Sequence, residues 1–215
     1  MVKQNKYPFL FKPISPYTIT QTFGENRACI DKATGKITIT CDGLNPPLGY
    51  RSIYSRMLGH NGIDMKAIRN TPIYSSQDGE VVEIVDEKVR GLGIGIITDN
   101  KFWCTETQSF EHFKIRYWHN LVNLVRKGDK VSIGQHIANV DNTGYSSGDH
   151  LHFEIKPVKI TKRNKDGTIK SYENILQNNG YFGAINPLPY LREENASRLQ
   201  GIRSVWERIL WAISI

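Results

Sequence analysis

Residues 150–155 read His150-Leu151-His152-Phe153-Glu154-Ile155. Polar and apolar side chains alternate with the period of a half-buried β-strand. Leu151, Phe153 and Ile155 can enter a core while both imidazoles face one space. Two histidines held so close make a poor core device, because each buried ring nitrogen needs a partner. They suit a metal ligand and a proton-transfer group. A second cluster is Gly59-His60-Asn61-Gly62-Ile63-Asp64. His60 and Asp64, four residues apart, share a face in either a helix or a strand. Gly59 and Gly62 argue for the strand. A catalytic zinc takes three protein ligands, with imidazole and carboxylate both suitable, and keeps one position open for water. His60, Asp64 and one histidine of the later pair would supply that set. A third element, Lys114-Ile115-Arg116-Tyr117-Trp118-His119, is a β-branched and aromatic strand ending in a histidine. A strand end can hold His119 aimed into a site. Taken singly, each cluster also has a plainer explanation: a solvated strand face, a surface loop, a hydrogen-bonded histidine.

The surrounding elements must bring these pieces together. Short strands are expected at Tyr17–Phe23, Ile73–Ser75, Glu80–Val85, Ile94–Thr98, Lys114–Trp118, Ile137–Val140 and His150–Ile155. Frequent Gly and Asn between them, with few helical stripes, indicate a mainly β domain. Residues 1–16 read as an extended lead-in, since Pro8, Pro13 and Pro16 discourage a helix. Two insertions are expected within the domain of residues 17–190. Residues 25–59 carry Cys29 and Cys41 flanking a hairpin pattern, and residues 156–185 begin with the basic stretch Lys156–Lys170, turning at Asp166-Gly167. That basic stretch reads by default as a solvated hairpin. The hairpin between Cys29 and Cys41 could bring them together. The odd cysteine count of three argues against a disulfide framework. Residues 191–215 read as an amphipathic helix, with Leu199, Ile202, Val205, Trp206, Ile209, Leu210 and Ile213 at helical spacing. Its apolar stripe would dock on the domain or on a second copy.

In their order and surroundings, the three clusters resemble the lysostaphin-type (LytM-like) zinc metallopeptidases, which cut peptide bonds of bacterial peptidoglycan. The matching pattern is His60-x-x-x-Asp64, then Tyr117-x-His119, then His150-x-His152. Thr71–Ser75, Asp78–Val82, Lys127–Val131 and the Gly/Ser loop Asn142–Gly148 fit as well, and the likeness runs over roughly residues 17–157. Asp149 departs from the pattern beside the site but replaces no ligand. The resemblance implies the antiparallel β-sheet, or β-sandwich, of that family (a duplicated hybrid motif). It implies one Zn²⁺ held by His60, Asp64 and His152, with His119 and His150 as unliganded catalytic histidines. Of these, His150 is assigned as general base and His119 as oxyanion stabiliser. An inactive relative that binds wall, activates another hydrolase or builds a phage tail is the competing expectation. It is disfavoured because all five positions are retained.

The formal charge is +7, from 28 Lys and Arg against 21 Asp and Glu. Such an excess favours an anionic partner. No helix-turn-helix, zinc-finger spacing or stacking motif is present, so peptidoglycan rather than nucleic acid is the expected partner. No run of about 18 apolar residues occurs, so no membrane span is expected. The N-terminal residues lack the apolar core of a signal peptide. Action at the wall after lysis, or from a phage particle, is therefore expected. Ile19–Asn26 and Gly59–Asp64 resemble phage-encoded family members. His112 and His136 fit no motif.

Overall fold

The computed structural model describes residues 8–25, 57, 59–88 and 91–197. The Cys29–Cys41 hairpin and the apolar stripe from Leu199 to Ile213 lie outside the described residues.

Thirteen strands are described. They are β1 (Leu10–Lys12), β2 (Thr18–Gln21), β3 (Ile63–Lys66), β4 (Pro72–Tyr74), β5 (Gly79–Glu87), β6 (Gly91–Thr98) and β7 (Phe102–Cys104). The remainder are β8 (Ser109–Asn123), β9 (Lys130–Val131), β10 (His136–Val140), β11 (His150–Arg163), β12 (Ile169–Asn174) and β13 (Leu191–Asn195). The principal sheet runs β2-β3-β11-β8-β6-β5-β9, with β10 joining β8 to β4, β7 pairing β8 and β12 pairing β11. These pairings are antiparallel, as expected for a mainly β chain of hairpins and short connections. No helix among the described residues is long and apolar enough to cross a membrane.

The alternation read in residues 150–155 continues across the sheet. Ile63 and Met65 of β3, Ile94 and Ile96 of β6, and Phe113, Ile115 and Tyr117 of β8 join Leu151, Phe153 and Ile155 in one fully buried core. Their neighbours Asp64, Lys114, Arg116, Trp118, His152, Glu154 and Lys156 occupy the intervening positions, which the two-residue period sends to the opposite face. That face is not left to solvent: Lys114, Glu154 and Lys156 are all buried. Part of the cover comes from the segment after β11. Lys114 Nζ donates to Tyr172 Oη at 2.8 Å, and Lys156 Nζ donates to the Phe182 carbonyl at 2.8 Å.

The end of β11 and β12 form the hairpin expected for Lys156–Lys170, and Lys159, Lys162, Arg163, Lys165 and Lys170 are exposed as expected, while Lys156 is buried. The hairpin turns at residues 164–168, and one side of it is apolar. Val158 and Ile169, with Ile160 and Tyr172 beside them, pack on Val82 and Ile97 as a second small core. The basic residues mask this in sequence because lysines alternate with the apolar positions. Two end assignments also change. The lead-in 1–16 contributes Phe9, Leu10 and Ile14 to the main core. Residues 191–195, expected as the start of a helix, form β13 and pair in parallel with β1. Leu10 supplies an apolar anchor, and β1 gives the β13 backbone a partner that helix propensity does not weigh.

Candidate functional site

The register of β11 assembles the site. His152 lies directly opposite Asp64 of β3 on one side and opposite Trp118 of β8 on the other. His60 precedes β3 and is held by two backbone bonds to the turn after β2, from Gly24 N to its carbonyl at 2.8 Å and from its own N to the Glu25 carbonyl at 3.0 Å. The three candidate ligand atoms converge. His60 Nε2 lies 2.9 Å from His152 Nδ1, and Asp64 Oδ1 lies 3.1 Å from each of them. Tetrahedral zinc with bonds of about 2.0–2.1 Å would set such edges at ~3.3 Å. The donor set therefore fits Zn²⁺ with slight expansion. The outward nitrogen of His60 makes the same point: Nδ1 donates to the Thr22 carbonyl at 3.1 Å, which leaves Nε2 as a lone pair aimed inward.

Charge at this cradle favours a cation. Burial alone would lower the His152 pKa, but Asp64 and Glu154 outweigh it and raise the ring to about 9. Burial would raise Asp64, yet its hydrogen bonds to His152 and His60 hold the carboxyl well below the ordinary aspartate range.

The other two histidines stand beside this cradle. Their rings lie 4.7 Å apart, and His119 lies 6.2 Å from His152, centroid to centroid. His150 Nε2 is 3.5 Å from Asp64 Oδ1. Both rings are fixed through Nδ1 by carbonyls of the loop before β11. His119 Nδ1 donates to Thr143 O at 2.6 Å, and His150 Nδ1 donates to Gly148 O at 2.8 Å with Ser146 Oγ at 3.1 Å. A carbonyl can only accept, so each neutral ring keeps its lone pair on Nε2. Burial, with the nearby His152, lowers His119 to about 4, against the opposing pull of the Thr143 carbonyl.

The expected strand ending at His119 is corrected in detail. β8 runs on to Asn123, and His119 is an extra residue within it. Gly93 pairs with Trp118 and Leu92 with Asn120, so no β6 residue opposes His119. Its φ of +66° is rare for a non-glycine residue and costs on the order of 1 kcal/mol. This is a β-bulge, which re-aims one side chain without ending the strand. It turns His119 into the site while Trp118 lies flat on the β6 backbone. A Cβ at Gly93 would sit 1.1 Å from the Trp118 ring, so this approach requires glycine.

All five residues expected at the site are brought together, whereas His112 and His136 are not. His112 Nδ1 bonds the Thr98 carbonyl at 2.8 Å, and His136 Nε2 bonds Asn139 Oδ1 at 3.0 Å. Sequence reasoning missed the supports. Thr143 fixes His119 through its carbonyl. Its hydroxyl also accepts from Leu92 N at 3.1 Å and donates to Asn120 O at 2.9 Å. Glu154 was visible only as a polar position in an alternating strand. Its placement two residues after His152 was the available signal, since that spacing sets both on one face.

With this geometry established, comparison with known proteins is decisive. A match to Peptidase family M23 covers residues 58–167, more than half of the chain. The chain belongs to peptidase family M23. It is 35% identical over 141 residues to the Peptidoglycan DD-endopeptidase ShyB of Vibrio cholerae, a stretch covering 64% of this chain and 30% of that protein. It is also 35% identical over 98 residues to the Murein hydrolase activator NlpD of Escherichia coli, covering 46% of this chain and 23% of that protein. The M23 chain thus spans less than a third of the length of either relative. Among solved structures, the catalytic domain of the prophage-encoded M23 protein EnpA from Enterococcus faecalis superposes with a TM-score of 0.51 at 21% identity, over 85% of this chain and 97% of that one. The lysostaphin catalytic domain from Staphylococcus simulans gives 0.50 at 22% identity, over 81% and 91%. These likenesses agree with the mainly β, antiparallel M23 fold.

Proposed function

We propose that this M23 protein is a zinc-dependent endopeptidase that hydrolyses peptide bonds of bacterial peptidoglycan, in a cross-bridge or stem peptide. The observation that carries this reading is the convergence of His60 Nε2, Asp64 Oδ1 and His152 Nδ1 within about 3 Å of one another, beside two histidines whose Nδ1 atoms are held by loop carbonyls. Similarity to the DD-endopeptidase ShyB supports the substrate class.

His60, Asp64 and His152 would hold one Zn²⁺. Bound there, zinc would polarise the scissile carbonyl and bring the pKa of water toward neutrality. The chain's own groups manage the protons. His150 Nε2, fixed toward the cradle by the Gly148 carbonyl behind it, accepts the water proton and returns it to the leaving amine. His119 stands across from it as the oxyanion partner. With Nδ1 committed to Thr143, His119 can donate only from a protonated Nε2, so its role depends on receiving a proton first.

An inactive activator is the second reading, favoured by similarity to NlpD. The retained five-residue set weighs against it. Wall access after lysis or from a phage particle fits the resemblance of Ile19–Asn26 to phage-encoded members. One experiment tests the function: zinc-loaded protein is incubated with peptidoglycans of defined cross-link, and the soluble fragments are weighed by mass spectrometry. New amine and carboxyl ends at a peptide bond are expected. Intact muropeptides with zinc bound at one equivalent would sink the enzyme and favour the activator.

A further inference from the structure

Behind the metal cradle lies a row of buried or half-buried charges that alternate in sign: Lys114, Glu83, Arg116, Glu154 and Lys156. Lys114 Nζ is 2.7 Å from Glu83 Oε2, and Arg116 Nε is 3.3 Å from the same oxygen. Arg116 Nη1 reaches both Glu154 oxygens at 3.1 and 3.2 Å, and Lys156 Nζ lies 2.7 Å from Glu154 Oε1. The row continues into the site. Glu154 Oε2 accepts from Asn61 Nδ2 at 2.7 Å and stands 3.7 Å from His152 Nε2. Glu154 has no exposed surface. Burying ions costs more than packing apolar groups of like volume, so stability alone is a weak reason for such a row.

We infer that Glu154 is a positioning residue that sets both the His60 loop and the His152 ring for zinc, an inference resting on the zinc reading above. Three observations meet at this carboxylate. It faces the His152 nitrogen remote from the cradle, so a proton placed on Nε2 leaves Nδ1 free for the metal. It grips Asn61, whose neighbour His60 supplies the second ligand nitrogen. The gap between loop and ring is held close: a Cβ on Gly62 would lie 2.8 Å from His152 Cε1 and 2.9 Å from Nε2. Arg116, with two contacts to the carboxylate, and Lys156, 2.7 Å from Oε1, hold it in place. At 3.7 Å the His152–Glu154 contact is longer than a hydrogen bond, and the inference is that it closes when Nδ1 is drawn onto the metal.

The test uses the full chain and zinc alone. Glu154→Leu is combined with Lys156→Met, so that no net charge is stranded, and compared with Glu154→Gln plus Lys156→Met, which keeps an oxygen acceptor. Asn61→Ala removes only the loop tie. Zinc dissociation constants are measured by chelator competition, with melting in EDTA as the check of folding. Exchange of the His152 Nε2 proton is followed by ¹⁵N NMR in zinc-loaded protein. The Leu variant should bind zinc about 10–100-fold more weakly and lose protection of that proton. The Gln variant should recover part of both, and Asn61→Ala should weaken binding without exposing the proton. If the Leu variant does not fold, the Gln and Asn61→Ala arms decide. Binding within twofold of wild type in those folded variants, with the proton still protected, overturns the inference. Failure of the wild type itself to bind one zinc would instead overturn the parent reading, and this one with it.

Discussion

His60 and His152 meet at the Asp64 carboxylate, with Glu154 behind His152, whereas His119 and His150 stand beside that cradle, and the difference separates their tasks. On the ligand side, His152 turns its remote nitrogen to a buried carboxylate, and Asp64 lies within 3.1 Å of both ligand nitrogens. On the other side, His119 and His150 turn theirs to neutral carbonyls of one loop. Either acceptor fixes a tautomer. Only the carboxylates add negative charge, which favours a cation whether proton or metal. His152 accordingly rises to about 9, while His119 falls to about 4, because burial and the neighbouring His152 outweigh the Thr143 carbonyl and the more distant Asp64. A ring that holds charge suits a ligand cradle. A ring that stays neutral near pH 7 can take a proton and give it back.

The strongest way to break this contrast is to remove one ligand. Asp64→Ala should abolish stoichiometric zinc and lower hydrolysis by about a thousandfold or more, since the several kcal/mol that the metal supplies go with it. Elemental analysis together with fragment release would check it. An active Asp64→Ala protein without zinc would end the metal assignment. Removing a histidine outside the ligand set should act otherwise. His150→Ala and His119→Ala should each cost about 10²–10⁴ in kcat while leaving one zinc bound. Loss of zinc from His150→Ala but not from His152→Ala would reverse the assignment within the pair. His119→Gln sharpens the matter further. A permanent amide donor should restore more activity than Ala if His119 serves the oxyanion, and no more if it serves as a base.

Proton competition gives a smaller, graded effect. Below about 9 the empty-site His152 carries a proton that zinc must displace. Zinc affinity should therefore rise roughly tenfold per pH unit on approach from neutrality and level off above that pKa. A flat chelator-competition profile between pH 7 and 8.5 would mean that His152 is not charged in the empty cradle. The mildest change concerns the loop. Thr143→Val keeps the carbonyl that fixes His119 but loses the hydroxyl that ties the loop to β6 and β8. About 1 kcal/mol of stability and a severalfold drop in kcat are expected, with zinc affinity unchanged. Calorimetry and steady-state rates would show it, and weakened zinc binding would mean that the two sides are not separable.

Much was legible without coordinates wherever one strand carried both the core and the chemistry. In residues 150–155 the two-residue period alone separates Leu151, Phe153 and Ile155 from His150, His152 and Glu154. All three apolar side chains are fully buried. Ligand types and spacings named His60 and Asp64 in the same way, because both lie within five residues of chain. The strand of His119 was legible but not its bulge, since one unpaired residue is defined by a partner strand that local pattern does not contain. At Lys156, the start of the basic stretch, the reading failed for a related reason: a lysine reads as solvent-facing until its ammonium is seen meeting Glu154 and the Phe182 carbonyl.

By itself, then, the sequence determined the β class, the five chemical groups and their family, because periodicity and residue type are local properties. Only the tertiary structure decided which nitrogen of each ring faces inward. That choice is made by Thr22, Thr143, Gly148 and Glu154, and three of the four act through backbone carbonyls, which any residue type would offer. A carbonyl leaves no trace in composition. Its direction is set by strand register and loop path, and these follow from packing of residues far apart in the chain.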